Sequence, residues 1–233
     1  IRVDSDGQPG TTALDVAAGT VITNLIGELD YSFRAYTILP EPANPPTVGT
    51  QPGATPAPTP LSSELTVVSF NMERFFDTVN DPGGDPVLTA AAYSRRLAKA
   101  SLIIRTLQRY PDVIGVQEME HLSTLQDVAT QINNDAVSID SLPNPQYVAY
   151  LIEGNDIGGI DVGYLVKSSR VTVGSVTQVE LPGCDHVTAS TCYNYTNPND
   201  GTLDILNDRP PLVLQASALR TDNSTFAFTV IVN

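Results

Sequence analysis

Two polar residues close two short apolar runs. Leu65-Thr66-Val67-Val68-Ser69-Phe70 ends in Asn71, and Asp112-Val113-Ile114-Gly115-Val116-Gln117 ends in Glu118. An amide and a carboxylate offer hard oxygen donors, the kind Mg²⁺ or Ca²⁺ takes. Glu118 is the candidate cation ligand, with an exposed carboxylate at a strand end as the plainer alternative. Asn71 would orient the ligand network or meet a phosphate; otherwise it is a turn-forming residue. Glu120 and His121 follow at once, and His121 reads as a local capping or surface residue. Cys184 and Cys192 are the only cysteines and read as a small disulfide-closed loop, with two free thiols as the alternative. His186 lies between them, but no fourth ligand with zinc spacing follows.

The elements that must position Asn71 and Glu118 are a strand, a helix and a strand. Tyr93, Leu97, Ala100, Ile104 and Leu107 recur at helical spacing, which predicts an amphipathic helix over 89–109. Arg95, Arg96, Lys99, Arg105 and Arg109 decorate it, as a charged solvent face or a phosphate-binding patch. If the flanking strands are parallel neighbours, their C-terminal ends share an edge, where open α/β sheets bind ligands. A second helix is expected over 121–134. Strands are expected over 147–153, 160–167, 171–181, 211–219 and 226–232, with a glycine-rich hairpin at 154–159. Helices early and strands late suit an α/β sandwich with a mixed or antiparallel sheet. The acidic residues of 77–85 offer a Ca²⁺ loop as one reading, but the stretch lacks the EF-hand pattern and its closing Glu and reads as a solvated loop.

Ahead of this lies different material. Residues 1–39 mix β-branched residues with turn formers, and 33–39 reads as a strand. Residues 40–63, rich in proline, have no hydrophobic period and read as an extended linker. The main domain is therefore assigned to 64–233.

Ser69-Phe70-Asn71-Met72-Glu73-Arg74-Phe75-Phe76-Asp77, followed by Val116-Gln117-Glu118-Met119-Glu120, resembles the endonuclease/exonuclease/phosphatase superfamily. More narrowly, it is similar to large secreted bacterial nucleases of the DNase I-like group. The resemblance covers roughly 64–233 and implies a four-layer α+β sandwich of which this chain holds the first part, preceded by a partial OB-like β segment. For 1–39 the alternative is an arm that packs on a neighbour. The resemblance makes Glu118 the principal metal ligand for Mg²⁺ (or Mn²⁺ or Ca²⁺) and Asn71 a partner in phosphate positioning. Asp161-Val162-Gly163-Tyr164-Leu165 is similar to the family strand bordering the cleft, which puts Asp161 at the rim. Asn207-Asp208-Arg209-Pro210 is similar to the segment that carries a phosphate-contacting Arg. Arg209 either meets substrate or pairs with Asp208 or Asp204. The family also carries a small disulfide loop just upstream of that segment. The departure comes at 228–233, which looks like the strand leading into the family's catalytic His, yet the chain stops at Asn233. A fragment of a longer polypeptide is expected; as a whole protein it would be inactive as a hydrolase.

The chain has 233 residues, a net charge of −14 and 41% hydrophobic residues, enough for a core and far from a passive DNA-binding module. No apolar run is long enough to span a membrane. The combined expectation is a secreted or cell-surface metal-dependent phosphodiesterase acting on DNA or RNA. Its rivals are a phosphatase or sphingomyelinase-like phospholipase on the same scaffold, and an inactive extracellular scaffold that self-assembles or serves neighbouring domains.

Overall fold

A computed structural model describes residues 1–32, 34–81, 85–154, 156, 158–185, 187–207 and 209–233. His186 and Asp208, both weighed above, lie outside the described residues, as do Phe33, 82–84 and two hairpin positions, 155 and 157. The described chain forms two units, Ile1–Thr55 and Pro56–Asn233.

The first unit holds β1 (Arg2–Val3), β2 (Ile22–Thr23), β3 (Gly27–Ser32), β4 (Ala35–Pro40) and β5 (Thr47–Val48). β3 and β4 form an antiparallel hairpin, with β1 parallel to β4. β5 lies inside the proline-rich stretch and pairs with β2. Leu29, Tyr31 and Tyr36 stay more than half exposed, so little apolar surface is buried here.

The second unit runs β6 (Val67–Phe75), α1 (Ala90–Leu102), β7 (Val113–Met119), α2 (Leu122–Ser138), β8 (Tyr147–Leu151), β9 (Asp161–Lys167) and β10 (Val171–Gln178). Then come β11 (Asn194–Thr196), β12 (Leu203–Ile205), β13 (Leu212–Leu219) and β14 (Thr225–Val232). One sheet has the order β6-β7-β9-β8 and another β10-β13-β14. β6 and β7 are parallel, as the helical crossover between them requires, and their other neighbours are antiparallel.

The sequence of β9 explains the layering. Leu165 points to the helices, joining Ile104, Leu125, Val128 and Ile132. Val162, Tyr164 and Val166 point the other way, onto Leu212, Leu214 and Val232 of the second sheet. A strand with both faces covered must be apolar throughout, and β9 is buried from Asp161 to Val166. The Tyr164 hydroxyl bonds to the carbonyls of Leu212 and Val230 at 2.7 and 2.9 Å, which fastens the two sheets across their core. Gly115 lets β14 come close, since a Cβ there would stand 3.3 Å from Val232 Cγ2. The result is an α/β sandwich with helices on one outer face.

Thr89 caps α1 by accepting the Ala92 N–H, one residue from the expected start. The helix then widens into a π-helical turn, Ile103–Leu107. That turn carries Arg105 into the interior, so the basic residues are not one solvent face. Arg105 donates to Ser101 and Asp140, with Asp135 at 3.7 Å. α2 runs one turn beyond the expected Asn134, where Asp135 accepts from Ser101 at 2.6 Å.

Candidate functional site

β6 and β7 end side by side, with Asn71 opposite Gln117 in register. Beyond that pair the ladder is interrupted: Glu73, Arg74 and Glu118 all adopt left-handed backbone, with φ of 58°, 52° and 61°. Non-glycine residues pay for that conformation, and it persists only where the surroundings fix it. Here the fixing group is Arg96 of α1. Its guanidinium donates to the carbonyls of Met72, Glu73 and Arg74 at 3.1, 2.5 and 3.1 Å and lies over the Phe75 ring.

The bulge then aims two side chains at each other. Asn71 Nδ2 donates to Glu118 Oε1 at 2.9 Å, while Asn71 Oδ1 accepts the Glu73 N–H. Glu118 Oε2 accepts the Arg74 N–H at 3.0 Å. Each Glu118 oxygen keeps a lone pair beyond these bonds. One carboxylate completed by water and substrate oxygens is how Mg²⁺ is usually held, so the donor set fits such an ion.

Two clefts meet Asn71. A groove of about 370 Å³ is lined by Asn71, Gln117, Val162, Asn207, Arg209 and Asn233. It brings Arg209 to Asn71 across more than a hundred residues. Arg209 Nε also stands 3.7 Å from Asp156. On the other side, Arg74, Arg96 and Lys99 line a cleft of about 580 Å³ that also includes Asn71. Asp161 reaches the same sheet edge, since it pairs with Met119. Its carboxyl is buried, however, and accepts the Gly154 N–H at 2.8 Å, so it serves the turn and does not face solvent at the rim. Burial, together with a hydrogen bond shared with Glu153, pushes its pKa up to about 7.

His121 stands at the N-cap position of α2, yet its side chain makes no capping bond. Its ring joins Asp81 Oδ2 at 3.0 Å through Nε2 and Glu153 Oε2 at 3.2 Å through Nδ1. Burial acts to lower its pKa, but the two carboxylates outweigh it and hold the pKa above the ordinary histidine value. Glu120 is 1% exposed and accepts the Asp77 N–H at 2.7 Å; burial raises its pKa. Sequence reasoning missed this group because Asp81 comes from the stretch read as a solvated loop. The signals were the adjacent Glu120-His121 and the acidic character of 77–85. Cys184 and Cys192 form a disulfide, with Cα atoms 4.6 Å apart. No described helix is long and apolar enough to cross a membrane.

No family model and no curated protein matches the chain. Solved structures similar to it include an endonuclease/exonuclease/phosphatase family protein from Bacteroides thetaiotaomicron, with 13% identity, TM-score 0.40 and coverage of 72% of this chain and 47% of that one. D. rerio TDP2, complexed with a single-strand DNA product, has 17% identity, TM-score 0.34 and coverage of 72% and 45%. A mannosyl-6-phosphatase from Bacteroides thetaiotaomicron has 15% identity, TM-score 0.36 and coverage of 72% and 51%. The chain spans about half the length of these structures.

Proposed function

We propose that Pro56–Asn233 is the part of a secreted, divalent-metal-dependent phosphodiesterase that carries the metal-binding half of the groove, with DNA or RNA as substrate. The observation that supports this most is the Asn71–Glu118 pair, 2.9 Å apart at the shared edge of two parallel strands, with Asn71 lining a groove that also contains Arg209. When bound, Mg²⁺ supplies Lewis-acid stabilisation of charge developing on the phosphoryl oxygens. Glu118 holds the ion, and the Arg74 N–H fixes which way its carboxylate faces. Asn71 keeps that carboxylate from rotating and presents its amide to the groove. Arg209 contributes a positive charge for a backbone phosphate, a contact that positions substrate without reading its sequence. Arg74 and Lys99 extend this positive lining on the helix side, against a net charge of −14 that otherwise repels a polyanion.

The test is supercoiled-plasmid nicking by protein of native length, with Mg²⁺ and with EDTA. Wild type is expected to nick only with the metal. Glu118→Gln is expected to lose at least a hundredfold, the scale of a removed charge-stabilising group. Nicking unchanged in Glu118→Gln would overturn the assignment. Turnover of phosphomonoesters or sphingomyelin in place of nucleic acid would move the substrate class and keep the site.

A further inference from the structure

Asp81, Glu120 and His121 each offer a ligand atom, and these atoms all lie within 4.8 Å of one another. Glu118 is not among them; its oxygens belong to Asn71 and Arg74. Three features are compatible with a cation, and the first of them is one that an ion pair alone leaves unexplained. First, Glu120 is 1% exposed, and its Oε1 has no hydrogen-bond partner among the described residues, while its other oxygen takes the Asp77 N–H. A buried carboxylate oxygen without a donor is costly, and a cation would satisfy it. Second, His121 Nε2 and Asp81 Oδ2 stand 3.0 Å apart. Two ligands held at about 2.1 Å by one ion are separated by roughly 3.0–3.4 Å. Third, the opposite ring nitrogen, Nδ1, faces Glu153 at 3.2 Å. Metal-bound histidines characteristically give their second nitrogen to a carboxylate, which fixes the tautomer and the ring.

We propose that Asp81, Glu120 and His121 form a site for one first-row divalent transition metal, Zn²⁺ or Mn²⁺ in class, with Glu153 orienting the histidine. An imidazole with two carboxylates favours such ions over Mg²⁺ and Ca²⁺, which prefer all-oxygen sets. The ion would tie the segment after β6 to the start of α2 and so brace both strands that carry the Asn71–Glu118 pair from behind. It stabilises the native state by mass action.

The experiment is titration of metal-stripped protein with Zn²⁺ in excess Mg²⁺, followed by calorimetry and by thermal unfolding. One Zn²⁺ is expected to bind per chain and to raise Tm. Glu118→Gln is expected to leave that binding intact, which separates this site from the phosphodiesterase reading. His121→Ala should weaken it by at least a hundredfold. The surface change Glu153→Gln, which leaves the core alone, should weaken it ten- to a hundredfold. The absence of saturable Zn²⁺ binding would overturn the proposal. So would binding that survives both His121→Ala and Glu153→Gln, or binding that vanishes in Glu118→Gln alone.

Discussion

A buried carboxyl group that keeps its proton shapes how this protein responds to pH. Asp161 is 6% exposed, and desolvation together with Glu153 lifts its pKa to about 7, whereas an unfolded chain releases that proton near 4. Between these limits the native state binds more protons than the unfolded one. Stability attributable to Asp161 is therefore full below about pH 4, falls as pH rises, and levels off above about 7. Asp161→Asn keeps the acceptor for the Gly154 N–H and removes the titration. In EDTA, the Tm of the variant relative to wild type should climb steadily from pH 4 to pH 7, and a flat difference would contradict the assignment. The residue scale also shows what the sequence could and could not reveal. That Asn71 and Glu118 meet was legible because each ends an apolar run, and a helical period separates those runs. Asp161 lies at the edge expected, opposite Met119, but its burial goes with a bond from the Gly154 N–H, which no local pattern records. The His121 cluster joins three separate stretches, and only two of its members are neighbours in sequence.

At the scale of elements, the Glu118 carboxylate depends on a side chain from the helix between its strands. Arg96 supports three successive carbonyls and thereby the left-handed backbone of Glu73 and Arg74. Arg96→Ala removes all three bonds and the contact with Phe75, and should cost about 2–3 kcal/mol in urea unfolding, discounted for partial exposure. Arg96→Lys should recover only part, because an ammonium group cannot span three carbonyls in one plane. Hydrogen exchange at 72–76 should quicken in both variants, more in the alanine one, while exchange in β9 stays slow. The helix itself was readable from its apolar spacing. Its partition was not: Arg95 and Lys99 remain exposed, Arg96 reaches the bulge, and Arg105 is buried. All look alike as basic residues on a polar face. The turn that swings Arg105 inward is a π-helical widening with no sequence mark of its own.

For the whole molecule, the layering followed from the alternation in β9 and the continuous apolar run of β7, and the order of helices before strands was already visible in the chain. What composition hides is which strands are left at an edge. β14 pairs only with β13 among the described strands, so one of its sides offers an open row of amides and carbonyls. Thr225-Phe226-Ala227-Phe228-Thr229-Val230-Ile231-Val232 has no charge and no proline, Ile231 is 65% exposed, and the Phe226 and Phe228 rings stack 6.3 Å apart. Such an edge is a template for a second copy of itself, since neither repulsion nor a missing donor interrupts pairing. Left bare in solution, this chain should be colloidally fragile in spite of its strong negative charge. It should cluster as salt screens that charge, giving light scattering and thioflavin fluorescence that grow with concentration. A single Ile231→Lys, placed on the exposed face, should suppress both without lowering Tm, and unchanged clustering would locate the adhesive surface elsewhere.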